Sequence, residues 1–84
     1  MLVDASLRPR QAAADPYDEL TAREREVLVL LAQGLTAAAM GERLFISPRT
    51  VEHHRAAILR KLGLRQHSDA IKYAIRRGLI DIDN

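Results

Sequence analysis

Cysteine is absent from the 84 residues, so neither a disulfide framework nor a thiolate metal site is available, and the chain suits a reducing cytoplasm. No apolar run approaches the roughly 20 residues that a membrane span requires, and the first residues lack the apolar core of a secretory signal. The expected setting is soluble and cytoplasmic. Glycine-rich phosphate loops, nucleophile elbows and carboxylate pairs suited to acid–base work are missing too, and so short a chain leaves little room for a substrate pocket. Neither an enzyme nor a cofactor or small-molecule ligand is expected. The run Glu52-His53-His54, with His67, invites a metal reading. Adjacent helical residues point about 100° apart, however, so His53 and His54 cannot grip one ion as an i, i+4 pair does, and no metal site is expected.

A chain of this length forms one small domain, burying about 60% of its unfolded surface. Its net charge of +2 is unevenly spread. Residues 43–77 carry nine bases against two acids, whereas residues 1–42 carry four bases against seven acids and residues 78–84 add two acids. The basic half suits a polyanion through phosphate contact and counterion release.

The stretch with the clearest organisation runs from Ser47 to Gly63. Ser47 can cap a helix, Pro48 presets φ at its first position without losing an amide partner, and Gly63 can take the left-handed conformation that closes it. A helix over 48–62 is therefore predicted. At about 100° per residue, Val51, Ile58 and Leu62 form a narrow apolar stripe, while Arg49, Glu52, His53, Ala56 and Arg60 fall on the opposite side. One face is core and the other is free to read a partner.

Just upstream, Thr36 caps a short helix over 37–44, with Met40 and Leu44 inward and Gly41 admitting a close neighbour. Three residues, Phe45, Ile46 and Ser47, join the two helices, a spacing that makes a helix-turn-helix unit. Phe45 and Ile46 are expected to plug the turn, with the chain's single Phe as a core wedge. Thr21 and Glu24 form a capping box that opens a first helix over 22–33, with Val27, Leu28 and Leu31 inward and Gly34 beyond its end. Ser68 is expected to cap a last helix over 69–77. There Ile71 and Ile75 extend the apolar arc beyond a one-sided core, which points to a two-fold homodimer through that helix. Residues 1–19, with two prolines and no sustained period, read as a flexible tail or inter-domain linker, and residues 20–84 as the folded domain.

Leu20-Thr21-Ala22-Arg23-Glu24-Arg25-Glu26-Val27-Leu28, Ala32-Gln33-Gly34-Leu35-Thr36, Leu44-Phe45-Ile46-Ser47, Thr50-Val51-Glu52-His53-His54, Lys61-Leu62-Gly63 and Gly78-Leu79-Ile80 stand in the order and spacing of a known pattern. Over residues 20–80 the chain resembles the LuxR family of DNA-binding domains, also called the GerE or NarL type. These lie at the C-terminus of bacterial response regulators and quorum-sensing activators. The resemblance implies an all-α, four-helix domain whose third helix enters the DNA major groove and whose fourth forms the dimer. It assigns base contacts to Glu52, His53 and Ala56. Backbone contacts fall to Ser47, Arg49, Thr50, Arg60 and Lys61, while Val51 and His54 match architectural positions.

Departures from the pattern bear on specificity. Glu52 stands where lysine is common and can accept from a cytosine amino group but cannot bind guanine as lysine does. Ala56 replaces a base-contacting base of the family, Ala38 a lysine, and His67 an arginine. The implied function is sequence-specific binding of double-stranded DNA as the output domain of a transcription regulator. RNA polymerase is a further candidate partner. Such a domain is expected to follow a receiver or ligand-binding domain, with a phosphorylated receiver favoured. The rival reading is a helical protein-interaction module that uses the basic face and the last helix.

Overall fold

The computed structural model describes residues 15–80. A short 3-10 helix, Pro16–Glu19, precedes four α-helices: α1 (Ala22–Ala32), α2 (Ala37–Leu44), α3 (Pro48–Leu62) and α4 (His67–Arg77). There is no strand among the described residues. The all-α, four-helix expectation holds.

Helix α1 is the hub, with α3 and α4 packed along it and α2 crossing both α1 and α3. Val27, Leu28, Leu30 and Leu31 from α1 meet Met40, Val51, Ile58, Leu62, Ala70 and Ala74 in one buried cluster. The inward stripes read from helical spacing are thus the ones that pack. Thr21 and Glu24 make the full capping box: the Glu24 amide donates to Thr21 Oγ1 at 3.1 Å, and the Thr21 amide donates to Glu24 Oε1 at 2.9 Å. Helix α1 stops at Ala32, with Gln33 as its C-cap, one residue short of the predicted end.

Gly41 is buried where α2 meets the turn. A Cβ there would stand 2.6 Å from the Ile46 carbonyl oxygen and 3.4 Å from the Pro48 nitrogen. The close neighbour is therefore the backbone leading into α3, and the missing side chain lets the turn close against α2.

Three expectations are corrected. Phe45 is no core wedge: it is 93% exposed, because as C-cap of α2 it adopts φ 62°, which turns its side chain away from the interior. Ile46 is half-buried and packs against the core without it. Helix α4 begins at His67 rather than Asp69, and its N-cap is Gln66, which makes no side-chain capping bond. Ser68 Oγ instead donates to Gln66 Oε1 at 3.4 Å. Within the stretch read as a flexible tail or inter-domain linker, residues 16–19 form the 3-10 helix, which packs against α3 and carries Tyr17 to the edge of the core. The expectation for residues 1–14 lies outside the described residues.

Candidate nucleic-acid interface

Helix α3 is defined at both ends by local chemistry. Ser47 is extended, at φ −73° and ψ 155°, and its Oγ accepts from the Thr50 amide at 3.1 Å while sharing a 3.0 Å hydrogen bond with Thr50 Oγ1. Pro48 follows in the first turn. At the far end Gly63, at φ 71°, donates to the carbonyls of Leu59 and Arg60, and Arg60 and Lys61 complement the negative end of the helix dipole.

Burial divides the helix sharply. Val51, Ala57, Ile58 and Leu62 are buried, whereas Arg49, Glu52, His53, Ala56 and Arg60 are all exposed. The structure thus brings the expected base-facing residues together on one open side. Ser47 is exposed and Thr50 half-buried at the N-terminal edge of that side. Arg43 and Arg65, outside α3, are exposed as well. His53 and His54 approach edge to face, with ring centroids 6.1 Å apart. Among the described residues no three metal-donor side chains gather at one point, and no helix is long and apolar enough to cross a membrane.

Lys61 does not share the open face. Its Nζ donates to Glu24 Oε1 at 2.9 Å and to the Glu19 carbonyl at 3.3 Å. Glu24 is buried, with a side chain only 8% exposed. Burial opposes its ionisation, but the hydrogen bonds from Lys61 and the Thr21 amide, with the Lys61 charge, outweigh that and hold its carboxyl below the ordinary value. In the free chain Lys61, expected among the backbone contacts, thus neutralises a buried acid.

A second polar cluster lies where the 3-10 helix meets α4. Asp15 Oδ1 accepts from the Tyr17 amide at 2.9 Å and from the Tyr73 hydroxyl at 3.0 Å, and Oδ2 pairs with Arg77. Two guanidinium groups lie over the Tyr17 ring, Arg25 at 4.5 Å and Arg77 at 4.3 Å from its centroid. The Tyr17 amide is the main influence lowering the Asp15 carboxyl, with Tyr73 and Arg77 acting in the same sense against a desolvation that opposes them. Burial first, then the Asp15 carboxylate, pushes the Tyr73 phenol up. Sequence reading missed this clasp, although Asp15-Pro16 is itself a cap followed by a first-turn proline.

On α4, Ile71 is half-buried and packs against the core of its own subunit. Ile75 is half-buried and lies outside that cluster.

A family model described as GerE, bacterial regulatory proteins, luxR family, matches residues 18–74. The oxygen regulatory protein NreC of Staphylococcus aureus strain bovine RF122 / ET3-1 is 38% identical over 68 residues, which cover 81% of this chain and 31% of that protein. NreC of Staphylococcus aureus strain JH9 is 39% identical over 67 residues, covering 80% of this chain and 31% of that protein. The chain therefore spans less than a third of the length of these curated relatives.

Proposed function

The chain belongs to the luxR family of bacterial regulatory proteins, and from that premise we propose that it binds double-stranded DNA sequence-specifically, with α3 in the major groove, as the output domain of a transcription regulator. The observation that carries the reading is the division of α3. Its apolar stripe is anchored in the core, while Arg49, Glu52, His53, Ala56 and Arg60 are exposed together beyond a three-residue junction. A rigid helix held by one side and open on the other is what groove insertion needs.

In this reading Glu52, His53 and Ala56 face base edges. Ser47, Arg49, Thr50 and Arg60 meet phosphates and set the register, and Lys61 supports the scaffold. Ala56 offers only apolar contact, suited to a thymine methyl. Helix α4 pairs with its copy through Ile75, so that two recognition helices meet two half-sites; Ile75→Glu then weakens self-association in sedimentation equilibrium, and an unchanged profile removes that pairing. The regulator as a whole is a two-component response regulator, in which a receiver domain supplies the signal.

Salt titration of duplex binding tests the reading. Affinity falls by roughly 0.9 log unit per phosphate contact for each decade of salt, and Arg49→Ala lowers that slope by about 1 while weakening all sequences alike. Absence of duplex binding at low salt and high protein concentration would favour a protein-interaction module instead.

A further inference from the structure

The proposed base-reading face carries an acid, Glu52, amid the negative potential of the phosphates it would approach. An isolated carboxylate there is repelled by the backbone, and its three side-chain torsions must be ordered before it can accept a bond. Glu52 is not isolated. Its Oε1 accepts from Arg55 one turn on, at 2.6 Å, and the two side chains differ in exposure, 51% for Glu52 and 16% for Arg55. The acid is presented to solvent and the base is held beneath it.

We propose that Arg55 is a positioning residue for base readout, fixing and neutralising Glu52 so that its second oxygen can accept from a cytosine amino group. The inference rests on the DNA-binding reading of α3. A carboxylate has about four acceptor sites, so the Arg55 bond leaves capacity to spare, and among the described residues Glu52 makes no other side-chain hydrogen bond. Oε2 is the free acceptor. In the major groove only cytosine N4 and adenine N6 donate, and adenine sets its N7 lone pair beside N6, where it repels a carboxylate. Guanine and thymine present acceptors at this edge, so cytosine is the matching base. Arg55 is the more covered of the two, with 16% of its side chain exposed. Its effect passes through Glu52.

The test is selection of binding sites from random duplex by the 84-residue chain and by Arg55→Met, Arg55→Lys, Glu52→Ala and the double variant Arg55→Met/Glu52→Ala, with thermal unfolding recorded for each. Wild type should favour cytosine at one position by roughly tenfold, the scale of a single good base contact. Arg55→Met should flatten that position while other positions keep their preferences, Arg55→Lys should restore part of it, and the double variant should match Glu52→Ala. Retention of the cytosine preference in Arg55→Met, or uniform weakening at every position in a variant that still unfolds cooperatively, would overturn the proposal. If wild type enriches no motif at all, the DNA-reading role of α3 fails, and this inference fails with it. Wild-type enrichment therefore separates the two failures.

Discussion

The outer face of α3 and the clasp around Asp15 are both rich in charged side chains, yet they satisfy them in opposite ways. In the clasp each polar group finds a partner from another part of the chain: Asp15 takes Tyr73 and Arg77, and the Tyr17 ring takes Arg25 and Arg77. On α3 the hydrogen bonds are local, Ser47 with Thr50 and Glu52 with Arg55, and they order the helix without closing its surface. Polar groups spent on one another make structure. Those held on a rigid element and left open are available to a partner.

The sharpest way to break this contrast is to disturb what aims α3. In Gly41→Val a Cβ would meet the Ile46 carbonyl, which is backbone and cannot swing aside. A loss of about 3 kcal/mol is expected in chemical unfolding, and duplex binding should fall with it because the turn no longer closes. Wild-type stability in this variant would mean that the tight junction is unnecessary.

Lys61→Met separates inward from outward bases. It leaves the Glu24 carboxylate buried without its cation and should cost about 2 kcal/mol, less than a fully buried pair because Lys61 keeps some exposure. The salt slope of DNA binding should be unchanged where the variant is folded. Because the folded Glu24 lies below its ordinary 4.5, the pair stabilises the wild type above that pH, and the contribution is lost as pH falls through the folded-state value. Urea unfolding at neutral and acid pH should therefore show the Lys61→Met deficit shrinking in acid. A deficit that does not depend on pH would contradict the assignment.

Tyr17→Leu probes the clasp alone. Losing the ring that Arg25 and Arg77 both contact should lower stability by about 1 kcal/mol and leave the selected DNA motif unaltered; a changed motif would make the clasp part of the reading surface. The smallest expected effect is a gain. Phe45 holds a left-handed conformation that bulky side chains disfavour and asparagine tolerates by hydrogen-bonding its own backbone, so Phe45→Asn should raise stability by up to about 1 kcal/mol, and a drop in melting temperature would show that the exposed ring has a packing role.

Much of the fold was legible because it is written locally. The Thr21–Glu24 capping box, the Ser47-Pro48 start and the Gly63 stop each lie within a few residues, and the stripe of Val51, Ile58 and Leu62 follows from helical spacing. The same spacing placed Glu52, His53, Ala56 and Arg60 on the exposed side. What escaped was non-local. Asp15 meets Arg77 across 62 positions and Lys61 meets Glu24 across 37, pairings that no periodicity contains. Phe45 escaped for another reason: its apolar character argued for burial, but the left-handed cap that ends α2 fixed its direction before side-chain chemistry could. Ser68 lost the α4 cap because the helix begins two residues earlier than expected, after a Gln66 N-cap that makes no side-chain capping bond.

Backbone amide shifts of the isotopically labelled 84-residue chain, followed while duplex DNA carrying its selected site is added, test the difference between the two polar regions most directly. Perturbations should concentrate at Ser47, Arg49, Glu52, His53, Ala56 and Arg60, with Tyr17, Tyr73 and Arg77 little changed. Shifts centred on the clasp, with the outer side of α3 unmoved, would contradict the account.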